Sequence, residues 1–187
     1  MSRDELLLKL KSFEVFKEVP ENQIIWLTKH AEIRSYFPGD FIFKPGDPID
    51  NTLIVLKGSF KIFAFSGKQE IEIASKSEGD ITGFLPFSRG KTANGTSKIL
   101  EETLLLCLNR SFEREMLRDH YELSQVLVHE MTSRVREFTG LQKQTEKLAA
   151  LGKLSAGLAH ELNNPASAIV RSAQGNNRKR SIRKHCD

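Results

Sequence analysis

The 187-residue chain is short of several things, and each shortage narrows what it can be. It has no apolar run near the roughly 18 residues that a membrane helix needs. Its densest stretches, LIVL at 53–56 and LLLCL at 104–108, have the length of buried strands. The opening MSRDELLLKLKS is charged and its apolar run is too short for a secretory signal. There are two cysteines, Cys107 and Cys186, far apart and at no metal or disulfide spacing. Cys107 reads as a core residue, no metal site is expected, and the cytoplasm is the expected location. An excess of one charge sign is also missing from the body of the protein. The net charge of +4 looks like a nucleic-acid signal, but RKRSIRKHCD, the last ten residues, holds five of the 28 basic residues and one of the 24 acidic ones. The remainder carries 23 of each, so nucleic acid is not an expected partner and the tail reads as a solvated end.

What is present reads as a globular protein, 39% hydrophobic and 28% charged. Ser2 followed by Glu5 is a capping box and predicts a helix over 3–11. Pro20 ahead of Ile24, Ile25, Leu27, Thr28 and Ala31 predicts a second over 21–31. After residue 32 the texture becomes short strands between turns. Two P-G-D triplets, at 38–40 and 45–47, signal tight turns, because Pro presets φ and Gly accepts a positive one. Gly58 and Gly67 mark further reversals, FKIFAF and QEIEIA alternate as half-buried strands do, and KILEETLLLCL predicts one more strand over 98–108. The expected fold class is α+β: an antiparallel β-roll or jelly-roll barrel flanked by helices and followed by a long C-terminal helix.

From Ser111 the pattern is helical. SFEREMLRDH predicts one helix and the stretch from Tyr121 a long one. Leu127, Met131, Arg134, Phe138, Leu141, Thr145 and Leu148 alternate at four and three, a coiled-coil seam that predicts a homodimer. A helix of some 40 residues spans about 60 Å, more than one barrel can cover. The expected organisation is a β-roll domain over 1–119, a signalling helix over 120–150, a further helix over 151–173 and a basic tail over 174–187.

FKPGDPIDNTLIVLKGSFKIF, residues 43–63, resembles the cyclic-nucleotide-binding domain family, and the likeness extends over roughly 12–140. The resemblance implies a phosphate-binding cassette of a tight turn, a short helix and a loop, in the pattern G-D-x-x-G-E followed by R-[ST]-A. The corresponding stretch is GDITGFLPFSRGKTANGTSK, 79–98. Gly79, Asp80 and Gly83 fit the pattern. Phe84 stands at the Glu position, and Asn94-Gly95-Thr96 at the Arg-Ser/Thr-Ala position, so both charged ligands are missing. A cyclic phosphate buried without a cation loses a charge-assisted hydrogen bond of about 1.5–3 kcal/mol. Tight cyclic-nucleotide binding is therefore not expected; contact rerouted through Arg89 or Lys91 is the alternative.

The second constellation is LSAGLAHELNNPASAIV, 154–170. Leu151, Leu154, Leu158 and Leu162 share a face, and His160 lies about 200° from them around a helix. Gly157 and Asn164 flank it one turn away on either side, and Glu161 follows it. An outward imidazole with a carboxylate beside it is a competent nucleophile near neutral pH. The segment resembles the H-box of sensor histidine kinases, H-E-x-x-N-P after a small and Leu-rich helix. The resemblance implies that His160 accepts a phosphoryl group, Glu161 acts as general base, Asn164 positions water for dephosphorylation and Pro165 bends the helix. Its ATP-binding domain is not found in residues 171–187, so the chain is expected to be truncated, to bind no cofactor itself and to be inactive alone. Magnesium-ATP would act only through a complete kinase chain. The expected function is the sensory front end of a two-component histidine kinase, with a response regulator receiver domain as partner and no membrane. The alternatives are a transcription regulator of the catabolite-activator type and a non-catalytic cyclic-nucleotide-binding module.

Overall fold

The computed structural model describes residues 1–66 and 69–137, and after them 139, 140, 143, 147 and 151. The chain divides into two compact units, 1–134 and 135–187. The first opens with α1 (Arg3–Ser12) and α2 (Glu21–His30), then β1 (Ala31–Tyr36), β2 (Asn51–Lys57), β3 (Ser59–Ser66), β4 (Gln69–Ser77), β5 (Ile81–Gly83), β6 (Thr96–Ile99), β7 (Thr103–Asn109) and α3 (Glu113–Asp119). Residues 121–137 are again helical, here α4, of which 121–134 belong to this unit. In the second unit the Thr139 hydroxyl donates to the Val135 carbonyl at 2.7 Å, one turn back.

The strands form two antiparallel sheets, β1-β7-β2-β5 and β4-β3-β6. β2 and β7 read as continuous apolar runs because both of their faces are covered. Ile54, Leu56, Leu106 and Leu108 point into a core with Leu10, Phe16, Ile24 and Leu27 of the N-terminal segment and Met116, Leu123 and Leu127. Leu53, Val55, Leu105 and Cys107, the residues between them, point to the other face and pack with Phe60 and Ile99 of the second sheet. Burial pushes the Cys107 thiol up to about 11.

The capping box holds in full: Ser2 N–H donates to Glu5 Oε2 and Glu5 N–H to Ser2 Oγ, at 2.8 and 3.2 Å. Both P-G-D triplets are type II turns, with Gly39 and Gly46 at φ +96° and +93°. In each, the Asp carboxylate accepts the N–H three residues back, Phe37 N–H to Asp40 Oδ2 at 2.8 Å and Lys44 N–H to Asp47 Oδ2 at 2.7 Å. Each turn also docks on one residue of a neighbouring segment. Gly39 and Asp40 exchange backbone hydrogen bonds with Ile99, and Gly46 and Asp47 do the same with Ala93.

Two expectations need correction. The strand over 98–108 is two strands, β6 and β7, in different sheets. The chain turns at 100–102, where the Thr103 hydroxyl bonds the Ser59 and Glu101 carbonyls at 3.1 and 2.8 Å. The seam residues Leu127 and Met131 pack against the chain's own core and Arg134 reaches the β-roll, so the first three seam positions serve intramolecular packing. Phe138, Leu141, Thr145 and Leu148 lie outside the described residues or side chains.

Candidate functional site

The β-roll holds a cavity of about 330 Å³, open on one side. Its wall is apolar along Ile42, Phe43, Leu53, Ile62 and Ile73, and polar where Arg34, Tyr36, Asp50, Thr82, Asn94 and Arg134 reach it. The polar side arises from β1. This edge strand pairs with β7 in the register Glu32↔Cys107, Arg34↔Leu105 and Tyr36↔Thr103. Directly opposed residues share a face, so Glu32, Arg34 and Tyr36 lie on the side where Cys107 and Leu105 enter the inter-sheet core. Arg34 Nη2 bonds Glu32 Oε2 at 3.2 Å. That hydrogen bond raises the guanidinium further above its ordinary range, with the neighbouring Cys107 and Tyr36 adding to it, while desolvation lowers it. Burial raises the Tyr36 hydroxyl, so at neutral pH it stays a hydrogen-bond donor.

The opposite rim is built by the stretch expected to be the cassette. Ser77-Glu78-Gly79-Asp80 is a third turn of the same kind as the two P-G-D turns. Gly79 has φ +89°, Ser77 N–H donates to Asp80 Oδ2 at 2.8 Å, and Gly79 and Asp80 exchange backbone hydrogen bonds with Val55. Gly79 and Asp80 therefore shape the turn and are not in the cavity lining. Gly83 does line it, at φ +74°, and a Cβ there would sit 2.3 Å from the Asn51 carbonyl oxygen, so only glycine fits. Phe84 is buried, with the Arg110 guanidinium 4.5 Å from its ring centroid. The apolar ring thus occupies core where the family pattern has a carboxylate. Asn94 lines the cavity in place of the pattern's arginine. Arg89 and Lys91 are exposed and outside the lining, and Thr96 begins β6 opposite Phe63. The short helix expected in the cassette is absent: residues 84–95 contain turns and one isolated bridge, Pro48↔Thr92. The buried Phe84-Leu85 pair anchors the start of this segment, and Pro86 opens a turn closed by the Ser88 N–H on the Leu85 carbonyl at 3.1 Å, with Phe87 at φ +64°.

Sequence reasoning missed Arg34, Tyr36 and Arg134. The period-two placement of Glu32, Arg34 and Tyr36 was visible in AEIRSY, but which face looked inward depended on pairing with β7. Arg134 was assigned to a dimer seam. It donates from Nη1 to the Gly83 carbonyl at 2.9 Å and so ties α4 to the cavity rim. His160, Glu161 and Asn164 lie outside the described residues. Among the described residues no cluster of His, Cys, Asp and Glu is suited to a metal ion, and no helix is long and apolar enough to cross a membrane.

Residues 33–120 match the family model of the cyclic nucleotide-binding domain. The β-roll has the fold of a cyclic nucleotide-binding domain. Solved structures of the same fold include the regulatory domain of Toxoplasma gondii PKA with cAMP, at 21% identity and TM-score 0.59 over 70% of this chain and 50% of that one. The Thermus thermophilus catabolite activator protein matches at 21% and 0.62, over 71% of this chain and 62% of that one. The sensor domain of the transcriptional regulator DNR from Pseudomonas aeruginosa matches at 16% and 0.60, over 74% and 93%. This chain therefore spans half to about two thirds of the first two. No curated protein sequence matches it significantly. The β-roll thus has the fold of these domains without the short cassette helix, and both charged positions of the family's ligand pattern hold other residues.

Proposed function

We propose that the domain is a sensory module whose cavity occupancy is passed to α4, and through the following segment to a phosphoacceptor helix carrying His160. The observation that carries the reading is the Arg134–Gly83 hydrogen bond. One side chain of α4 lines the cavity and grips its rim, so a ligand that displaces or tightens that contact acts directly on the helix. Downstream, the H-E-x-x-N-P segment supports the front end of a two-component histidine kinase. His160 accepts the phosphoryl group, Glu161 is its base and Asn164 serves dephosphorylation. The residues after Arg134 pair two copies of the chain, a complete kinase chain supplies magnesium-ATP, and a response regulator receiver domain takes the phosphoryl group.

The test is phosphotransfer with radiolabelled ATP. The chain alone is expected to stay unlabelled. With a histidine kinase catalytic domain added, acid-labile label is expected on the wild type and not on His160→Gln. Equal labelling of the two, or labelling without the added domain, overturns the reading. The absent carboxylate and arginine support the further expectation that cAMP and cGMP do not bind at micromolar concentration, which calorimetry checks. A second reading, a transcription regulator, is favoured by the coverage of the DNR sensor domain. A sequence-specific gel shift at physiological salt would support it over the kinase reading.

A further inference from the structure

The geometry points to a ligand class for the cavity: a small monoanion, carboxylate or sulfonate, on an apolar or aromatic body, anchored through Arg34. This inference rests on the reading of the cavity as a ligand site and adds what enters it. Three observations carry it.

Arg34 is a charged residue on the inner face of a strand whose partner places Leu105 and Cys107 in the inter-sheet core. The Arg34 side chain is 46% exposed, so the guanidinium lines the cavity while keeping part of its hydration. Arg34 retains its charge, supported by a 3.2 Å contact from Nη2 to Glu32, whose own side chain is 74% exposed, and by a hydrogen bond with the Tyr36 side chain. A planar guanidinium donor set matches the fork of a carboxylate or sulfonate.

The charge balance of the lining is the second observation. Two guanidinium groups, of Arg34 and Arg134, face one carboxylate, of Asp50. Arg134 is engaged with the Gly83 carbonyl, which leaves Arg34 as the group positioned to meet an anion entering from the mouth. The Tyr36 hydroxyl, kept protonated by its burial, stands beside Arg34 as a second donor.

The third is the apolar part of the lining. Ile42, Phe43, Leu53, Ile62 and Ile73 form an apolar surface, suited to a hydrocarbon or aromatic body and not to a ribose. The carboxylate of the family pattern is replaced by Phe84, whose ring is buried with the Arg110 guanidinium over it. The cavity thus combines a cationic edge with an apolar floor.

Two fluorescent probes of similar shape separate the terms: 8-anilinonaphthalene-1-sulfonate, an anion, and N-phenyl-1-naphthylamine, its neutral counterpart. The full chain is expected to bind both in mutual competition, the sulfonate more tightly. Arg34→Gln is expected to weaken the sulfonate about tenfold and to leave the neutral probe within about twofold, as the loss of one charge-assisted contact predicts. Arg34→Lys recovers part of the loss, and Arg89→Gln, an exposed cation outside the lining, changes neither probe. If Arg34→Gln weakens both probes equally or neither, the anion assignment falls while the cavity survives as an apolar site. If neither probe binds the wild type, the cavity reading falls with it. Arg34 is exposed enough that far-ultraviolet circular dichroism is expected to show an unchanged fold in every variant.

Discussion

The two sheets of the β-roll are both antiparallel, yet they live in different environments. β2 and β7 are covered on one face by the N-terminal helices, α3 and α4, and on the other by the second sheet. β3 and β4 lie against the first sheet near Phe60 and then run outward, until Phe65 is 64% exposed, Ile71 42% and Ile73 36%. The outer face of that hairpin is held by charge pairs, Lys61–Glu72 at 2.7 Å and Lys98–Glu70 at 2.6 Å, and by Lys98 over the Phe63 ring at 4.6 Å. Exposed pairs of this kind contribute little, about 0–1 kcal/mol each. The first sheet therefore holds the stability of the domain, and the outward end of the second is left free to form one wall of a cavity. Burial is thus divided unequally between the sheets, while the cavity is lined from both, by Arg34, Tyr36, Leu53 and Gly83 of the first and Ile62 and Ile73 of the second.

The sharpest way to break this division is to truncate a residue of the helix-clad face. Ile54→Ala is expected to cost about 2–5 kcal/mol, read as a fall in the urea midpoint. A loss below 1 kcal/mol would mean that the helices are not packed on β2 as described. Next is the rim. Gly83→Ala places a Cβ against the Asn51 carbonyl at a φ of +74° and is expected to cost roughly 1–3 kcal/mol. The same substitution should raise hydrogen exchange at the start of β5 and in α4 near Arg134, because the carbonyl that Arg134 holds must move. A smaller effect is expected from the inner face. Cys107 is raised from its ordinary 9.0 to about 11 in the folded state. Its contribution is fully present below pH 9 and is lost as pH climbs through 11, because the unfolded thiol releases its proton first. The wild type should therefore lose stability between pH 9 and 11 more steeply than Cys107→Ala does. The smallest effect belongs to the open hairpin: Phe65→Ser is expected to change stability by no more than about 0.5 kcal/mol. A loss comparable to that of Ile54→Ala would show that the hairpin carries weight the described contacts do not give it.

The parts legible in the sequence were those with local causes. The capping box, both P-G-D turns and the apolar strands β2 and β7 follow from residues within a few positions of one another. The third turn, at Gly79-Asp80, carried the same G-D signal, but its likeness to a ligand motif drew attention from its role as a turn. The split between β6 and β7 was hidden because Leu100, Glu101 and Glu102 interrupt the alternation without a Gly or Pro. What decides the break is Thr103 binding back to β3, a contact 44 residues away. The cavity was hidden for a similar reason. Arg34 became an inward residue through pairing with a strand some 70 positions later, and Arg134 became a rim residue through a bond to Gly83, 51 positions earlier. Residue spacing within one helix cannot distinguish a surface offered to a second copy from one laid on the chain's own sheet.

Gln23 is buried in α2, and its side-chain oxygen accepts the Leu123 N–H at 2.9 Å while its amide nitrogen donates to Glu122. One of the free first-turn amides of α4, that of Leu123, is therefore capped by a residue a hundred positions upstream. The helix cannot twist about its axis at this end without leaving that amide bare inside the core. Motion delivered to it at Arg134 has to bend or slide the helix beyond a fixed root, as a lever moves about a clamped end. The N-terminal segment, remote from the cavity, would then set where the lever pivots.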